Sequence, residues 1–391
     1  MRVLFRILSS LQLTVLLFGF SIALVFFGTL DQVHYGIHEA QRRYFESLYV
    51  VWQYPVQWVG GAQLNWIRIP LPGGYVLGSL LLVNLFAGHF RFFRPTWKKS
   101  GIVMIHTGVV FLIVSGFLSS ALQEESVMWI DEGNRSNYSV DYQDNELVII
   151  DRTDPDWDEV VSIPLKYLEK GIPVTHPQLP FTVETVQFFV NAQLRLRAQN
   201  PQAPPSLATR GEGPRIAVFP QAPTYKESTV NQATAYVKLK TEKEDLGTWL
   251  VSNVMEEYFA PQLFEYAGRE YAIALRFRRY YHPFWIELKD FRFDRYPGTE
   301  IPRNFSSEVN IINPGEHEPR QALFYMNHPL RYAGLTFFQS SFDEATETSS
   351  ALMVVRNPSW RLPYISVFLV GLGMAVQFLM HLIRFLKRRK V

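Results

Sequence analysis

The chain has 391 residues, of which 48% are hydrophobic and 19% are charged, and its formal net charge is +2. This length accommodates one or two sizeable domains. There is no cysteine, which excludes thiol–disulfide chemistry by the chain itself and covalent haem attachment through a C-x-x-C-H motif.

Four long apolar runs predict membrane-spanning helices, because each approaches the roughly 20 residues that cross about 30 Å of hydrocarbon. The predicted spans are residues 7–30, 74–93 and 101–122, with a fourth inside 361–391. The first run ends in FFGTLDQ, which offers no small-x-small cleavage site. We therefore expect a retained helix and not a secretory signal.

Basic residues flank these spans at the three ends that four crossings place on one side of the membrane. They are Arg2, Arg6, Arg91, Arg94, Lys98, Lys99, Arg384, Lys387, Arg388, Arg389 and Lys390. The positive-inside rule makes that side cytoplasmic, together with both termini. The excess positive charge therefore indicates topology and does not predict nucleic-acid binding.

Two connections follow from this topology. Residues 31–73 form an outer loop, and its aromatic stretch EAQRRYFESLYVVWQYPVQWVGG predicts an amphipathic segment at the membrane interface. The short basic turn RFFRPTWKKS makes the second and third spans an antiparallel hairpin.

Residues 123–360 are expected to form a β-rich domain on the periplasmic face. Polar and apolar residues alternate in REYAIALRFRRY, FTVETVQFFV, PFWIELKDFRF and LTFFQSSF, and YPGT and NPGE read as turns. The Pro-rich QNPQAPPSLAT reads as a loop. The predicted fold class is membrane α plus all-β: four transmembrane helices with a large sandwich or barrel-like domain between helices 3 and 4, and a basic tail within 361–391.

His106 is the first candidate site residue, because an ionisable ring in the apolar run GIVMIHTGVV is a functional-site hypothesis by default. Three roles are open for it: a structural residue that hydrogen-bonds a neighbouring helix, a proton relay, or a ligand of a metal or of haem iron. The hairpin places His89 at a similar depth, but the sequence does not decide whether the two rings face each other. Gly101, Gly108 and Ser115 recur every seven residues and predict close helix packing, and His106 points roughly 200° away from Gly108.

Other motifs are uninformative or absent. His328, in MNHPLRYAG, lies at a predicted strand end, and its position alone favours a structural role. The remaining histidines lack metal-ligand spacing, and the chain contains no H-E-x-x-H, G-x-G-x-x-G, P-loop or G-x-S-x-G motif. Nothing here indicates a hydrolase or transferase acting alone.

In order along the chain, several stretches resemble the ResB (CcsB) family of System II c-type cytochrome biogenesis. They are FGTLDQ, NLFAGHFRFF followed by KKSGIVMIHTGVVFLIVSG, IELKDFRFDRYPGTEIPRNFSSEVNI and MNHPLRYAGLTFFQSSFD. The resemblance covers nearly the whole chain.

The resemblance implies a subunit that helps carry haem b across the bacterial inner membrane and presents it to apocytochrome c. Its implied partners are a CcsA/ResC-type haem-handling membrane protein, an apocytochrome c with C-x-x-C-H, a thiol-reducing thioredoxin-like protein and the lipid bilayer. The chain would be a non-catalytic or co-catalytic subunit of a haem-attachment complex.

The resemblance also implies site residues. His106 matches the family's membrane histidine that ligates haem iron, and a partner histidine completes the pair. His89 either lines the same site or serves as an alternative ligand, unless it only meets water and headgroups. Arg91 and Arg94 either meet the haem propionates or serve only topology. His328 is a weaker candidate in the outer domain.

Two other functions are compatible with the sequence. One is a membrane-anchored envelope adaptor that binds no haem. The other is a b-type electron-transfer membrane cytochrome, which the His89 and His106 pair keeps under consideration.

Overall fold

The computed structural model describes residues 2–389 except 57, 59, 60, 93–95, 225–229, 260, 300, 301, 317 and 344–347, and gives the backbone alone at 61, 62, 98, 257 and 302. The described chain forms two compact units. We call the residues up to Glu124 and from Asn357 onward the helical unit, and most of the residues between them the β-rich unit.

The α-helices are α1 (Arg2–Leu8), α2 (Leu11–Tyr44), α3 (Gly61–Leu64), α4 (Gly74–Phe92), α5 (Ser100–Leu122), α6 (Leu165–Glu169), α7 (Met255–Tyr258) and α8 (Leu362–Arg389). Four of them, α2, α4, α5 and α8, are long and apolar enough to cross a membrane. Each of them overlaps one of the four predicted spans, and the chain is a multi-pass membrane protein.

Helix α2 extends well beyond residue 30, where the sequence placed the end of the first span. Ser10 caps its start, since the Ser10 hydroxyl accepts a hydrogen bond from the Leu13 amide at 3.2 Å. The helix continues to Tyr44 across a kink at Gly36, whose φ of 72° is a conformation that glycine adopts without steric cost.

The kink brings the end of α2 back against its own middle. The Tyr44 hydroxyl donates to Asp31 Oδ2 at 2.7 Å, and both side chains are buried. A Cβ on Gly28 would lie 3.3 Å from the Tyr44 ring. The conspicuous FGTLDQ stretch therefore provides room and a hydrogen-bond acceptor for Tyr44.

The strands are β1 (Tyr49–Gln53), β2 (Arg68–Pro72), β3 (Glu124–Asp131), β4 (Arg135–Asp151), β5 (Glu159–Pro164), β6 (Thr182–Phe189), β7 (Ala192–Leu196), β8 (Ile216–Pro220), β9 (Thr234–Lys240), β10 (Asp245–Ser252), β11 (Gln262–Tyr266), β12 (Arg269–Arg295), β13 (Pro302–Ile312), β14 (Arg320–Tyr325), β15 (Leu330–Tyr332), β16 (Leu335–Phe342) and β17 (Ser349–Arg356). Strands β1 and β2 form an antiparallel hairpin in the helical unit, with Tyr49 opposite Pro72.

The β-rich unit is built on a ten-stranded sheet in the order β14-β13-β12-β4-β3-β17-β16-β15, to which β11 and β5 add at β12 and β4. Its two end strands are consecutive in the chain, and an isolated bridge between Tyr325 and His328 joins them at the turn. The sheet is thus a nearly closed, barrel-like one, in agreement with the predicted fold class. A three-stranded sheet, β10-β9-β6, and the β7–β8 hairpin complete the unit.

Strand β12 connects two hydrophobic cores. Its first half contributes Tyr271, Ile273 and Leu275 to one core, and its second half contributes Ile286 and Leu288 to the other. The register of β12 against β4 shifts between Phe277 and Arg278 and again between Tyr281 and Ile286. Such bulges bend a strand and increase its twist, which lets one strand serve both cores.

The alternating sequence stretches fold as expected, because a half-buried strand needs one apolar face. FTVETVQFFV forms β6, REYAIALRFRRY begins β12, and LTFFQSSF forms β16. The Pro-rich stretch over residues 199–209 is irregular, and the YPGT and NPGE stretches include turns.

Candidate functional site

The site that the sequence singled out is a direct contact between two histidine rings on neighbouring helices. His106 Nδ1 lies 3.3 Å from His89 Nε2, which is hydrogen-bond distance. The ring centroids are 4.7 Å apart and the planes meet at 85°, so the rings are arranged edge to face. The two rings therefore face each other, which the sequence alone does not decide.

The two helices place the rings at one level of the hairpin. His89 stands three residues before the end of α4, and His106 stands six residues after the start of α5. At about 1.5 Å per residue, these positions lie on the order of 5 to 9 Å inside the ends of the two helices that the basic turn joins. Their partnership satisfies two polar groups that hydrocarbon alone would leave unpaired.

The side of α5 that faces away from His106 packs against α8. Gly101, Gly108 and Ser115 are the buried residues of α5, as the seven-residue spacing predicted. Ser366 on α8 donates its hydroxyl to the Gly108 carbonyl at 2.6 Å. His106 points away from this interface, toward α4.

The side chains around His89 and His106 limit the roles that the pair can have. Helices α4 and α5 contain no aspartate or glutamate, so they supply no carboxylate to a proton relay. Within the described part of the chain, no group of three or more His, Asp or Glu side chains forms a metal cluster. Neutral imidazole is, however, a common ligand of haem iron, which takes only one or two protein ligands.

The contact occupies one nitrogen of each ring, and it does not fit two ligands on the same iron. Two axial ligands lie on opposite faces of the porphyrin with the iron between them, so their nitrogens cannot also touch each other. The His89–His106 contact therefore excludes iron between these two rings as they stand. His106 Nε2, the ring nitrogen far from the backbone, lies outside the contact.

Arg91 is positioned by the N-terminal part of the chain. Its Nη1 donates to the Arg6 carbonyl at 3.1 Å and to Ser9 Oγ at 2.8 Å, and its guanidinium lies over the Phe92 ring. The side chain thus ties α4 to the junction between α1 and α2. Arg94, named with it from the sequence, lies outside the described residues.

Asn84 was not singled out as a site residue, yet it is buried in α4 and fully engaged. Its Oδ1 accepts from Thr14 Oγ1 at 2.6 Å, and its Nδ2 donates to the carbonyls of Leu8 and Ser10. A lone amide in an apolar run is the sequence signal for such a contact. Its role here is to hold α2 against α4.

His328 lies apart in the β-rich unit, in an exposed turn. Its ring stacks on Tyr325 at a centroid distance of 4.0 Å, and its amide donates to the Tyr325 carbonyl at 3.0 Å. The preceding Asn327 has a φ of 64°, which asparagine tolerates better than most residues. The MNHP stretch forms this turn.

Among the described histidines of the β-rich unit, His282 is the one whose ring lies at hydrogen-bond distance from a buried hydroxyl. Its Nε2 lies 3.0 Å from Ser139 Oγ, and the Ser126 hydroxyl donates to the same Ser139 oxygen at 2.8 Å. The ring stacks on Phe284. Burial lowers the pKa of His282, because the charged imidazolium loses solvation there.

Comparison with known proteins gives a family match in the last part of the chain. Residues 265–361 match the model of the ResB-like family, from within β11 to the residue before α8. Two of the four resembling stretches, the YPGT block and the MNHP block, lie inside this range. The hairpin with His89 and His106 lies outside it.

The chain is also similar to curated proteins. It is 33% identical over 92 residues to Protein NrfI of Wolinella succinogenes, covering 24% of this chain and 10% of that protein. It is 32% identical over 78 residues to the cytochrome c biogenesis protein CcsB of two Prochlorococcus marinus strains, covering 20% of this chain and 17% of each CcsB. The matches therefore span less than a fifth of the length of these relatives. Together with the family match, they confirm the ResB-family resemblance that the sequence motifs predicted.

Proposed function

We propose that this protein is a ResB-type subunit of a cytochrome c biogenesis complex that helps carry haem b across the membrane and present it to apocytochrome c. The family match and the similarity to CcsB support the biogenesis role. The observation that carries the haem proposal is the His106 imidazole, held in a membrane helix with Nε2 outside its contact with His89.

In this proposal His106 contributes one axial ligand, and a histidine of a CcsA/ResC-type partner contributes the other. The ferrous haem would supply the vinyl groups that react with the thiols of the apocytochrome C-x-x-C-H motif. The apolar faces of the spans cover the macrocycle, which is unstable in water. Axial imidazole also tunes the iron's potential.

The chain supplies a ligand, a scaffold and a docking surface, and we assign it no independent catalysis. In this proposal Arg91, at the end of α4, would meet a propionate with the guanidinium nitrogens that do not bind Arg6 or Ser9. The β-rich unit would lie on the periplasmic face of the bacterial inner membrane and receive the apocytochrome, with both termini cytoplasmic. A thioredoxin-like protein would keep the apocytochrome thiols reduced.

The test is haem content. The protein would be purified with its CcsA/ResC-type partner and examined by reduced-minus-oxidised spectra and pyridine haemochrome. We expect haem b in the wild-type complex, its loss in His106→Ala, and its return when imidazole is added. His381→Ala is the matched control, because His381 also lies on a membrane helix but bonds Gln377 of its own helix at 2.9 Å.

Full haem content in His106→Ala would leave His106 as a packing residue and overturn the haem proposal. A complex that never contains haem would favour the adaptor function instead. The b-type cytochrome receives no support from the geometry, since the two rings touch and leave no room for an iron between them.

A further inference from the structure

The contact between His89 and His106 is asymmetric, and the asymmetry assigns different tasks to the two rings. It uses Nδ1 of His106, the nitrogen next to the backbone, and Nε2 of His89, the nitrogen far from it. A porphyrin is wide and must clear the helix that carries its ligand. The remote nitrogen of His106 lies outside the contact, whereas the remote nitrogen of His89 is occupied by it.

We propose that His89 is a positioning residue that sets the tautomer and ring orientation of His106, and that His106 Nε2 is the atom that ligates haem iron. This inference rests on the proposed haem function. It gives His89 a role that is neither that of an axial ligand nor that of an interfacial side chain.

The proton arrangement follows from the geometry. In a neutral imidazole one nitrogen carries the proton and the other a lone pair. If Nε2 of His106 binds iron, its lone pair is committed there and the proton resides on Nδ1. Nδ1–H then donates to Nε2 of His89, which must present its own lone pair. With iron on His106 Nε2, this is the only arrangement of the two neutral rings that keeps the hydrogen bond between them.

The reverse assignment is less suitable. For His89 to be the ligand it would have to bind through Nδ1, beside its own Cβ and helix backbone, where a macrocycle meets the helix. His89 Nε2–H would then donate to His106 Nδ1.

A hydrogen bond from the non-ligating nitrogen does two things in metal sites. It fixes the ring orientation, and it makes the imidazole a stronger donor to the metal. Removing such a partner commonly costs about 10- to 100-fold in affinity for the metal group. A stronger donor also favours ferric iron, so the acceptor on His89 lowers the potential of the bound haem.

The test uses the full-length chain in complex with its partner, with haem b as the titrated probe. His89→Phe keeps a planar ring and removes the acceptor, whereas His89→Gln offers its amide oxygen close to where Nε2 lies. We expect His89→Phe to bind haem about 10- to 100-fold more weakly, with a higher midpoint potential and a ferric spectrum that is still histidine-ligated. His89→Gln should restore both affinity and potential most of the way to wild type.

Several results would overturn the inference. Wild-type affinity and potential in His89→Phe would show that the hydrogen bond has no effect on the ligand. Loss of haem in both His89 variants, reversed by added imidazole, would make His89 a ligand itself. Equal weakening in Phe and Gln variants without a change in potential would reduce His89 to packing.

The two proposals fail in different ways. Haem retained in His106→Ala defeats the ligand assignment, whatever the His89 variants do. Haem lost in His106→Ala but unaffected in His89→Phe defeats only the positioning role. Thermal unfolding of each variant, recorded without haem, distinguishes lost ligation from lost folding.

Discussion

The two sides of α5 contact their neighbouring helices in different ways. Toward α8 the helix presents glycines, and the backbones approach so closely that a Cβ on Gly101 would lie 2.6 Å from the Gly373 carbonyl oxygen. Toward α4 it presents His106, whose contact is ring to ring through one hydrogen bond. The first side leaves no room for an added methyl group, while the second contacts α4 through large ring side chains.

This difference gives the two sides of one helix different kinds of contact with their neighbours. In lipid, helices associate through close packing of small residues and through interhelical hydrogen bonds. The α8 side uses both, whereas the α4 side contacts its neighbour through the His89–His106 pair and through the edge-to-face rings of Tyr75 and Phe117. The changes below test this difference by its effect on the free energy of unfolding, from the largest expected loss to the smallest.

The largest loss is expected for Gly108→Val. Even its first added carbon would lie 2.6 Å from Val370 Cγ2 and 2.9 Å from the Ser366 carbonyl oxygen. Overpacking of this kind costs about 1 to 3 kcal/mol or more, which denaturant titration of the purified protein would measure. Gly116→Val is the control, because no atom lies within 4 Å of a Cβ at Gly116. Equal stability of the two variants would show that α5 and α8 do not pack closely.

Ser366→Ala should have a smaller effect on the same interface. It removes the buried hydroxyl that donates to the Gly108 carbonyl at 2.6 Å. Interhelical hydrogen bonds in membranes contribute about 0.6 kcal/mol on average and up to about 1.7. Thr29→Ala is matched to it, since the Thr29 hydroxyl bonds only the Val25 carbonyl of its own helix. A cost no larger than that of Thr29→Ala would mean that packing alone joins the two helices.

His106→Ala should cost less than about 1 kcal/mol of unfolding free energy in the haem-free protein, since it removes one interhelical hydrogen bond at a loosely packed contact. The same denaturant titration measures it. A loss comparable to that of Gly108→Val would contradict the comparison, because the histidine side of α5 would then be as structural as the glycine side.

The smallest effect on the free energy of unfolding is expected from a change in pH, acting through His282 in the β-rich unit. Burial lowers the folded-state pKa of His282 below the unfolded value of about 6.5. The unfolded state therefore binds the proton more readily than the folded state. The stability that the neutral His282 ring contributes is fully present above about pH 6.5, and it declines as the pH falls from there to the folded pKa. Unfolding midpoints between pH 7.5 and 5.5 should show this decline in the wild type.

His282→Gln provides the comparison for the pH measurement, because glutamine keeps a hydrogen-bonding group for Ser139 and does not titrate. Its unfolding midpoint should vary less with pH over the same interval. An identical pH dependence in the two proteins would place the effect in other groups.

Much of the helical unit could be predicted from sequence, since a span needs only an apolar run of sufficient length. The Gly101, Gly108 and Ser115 seam was predicted from its spacing and is confirmed as the buried side of α5. The continuation of α2 past Gly36 was not, because it depends on Tyr44 finding Asp31 and the space at Gly28. These positions are too far apart in sequence for any local pattern to link them.

The sequence by itself determined the number of spans, the alternating strands of the β-rich unit, the resemblance of the chain to ResB and the position of His106 inside an apolar helix, all of which depend on local composition and period. Only the tertiary structure decided that the ten-stranded sheet nearly closes, that Arg91 binds the N-terminal junction, and that His89 meets His106 through one particular nitrogen. The physical reason is that periodicity fixes where a side chain lies along an element and around its axis. The rotation and spacing of one element against another depend on packing between residues distant in the chain.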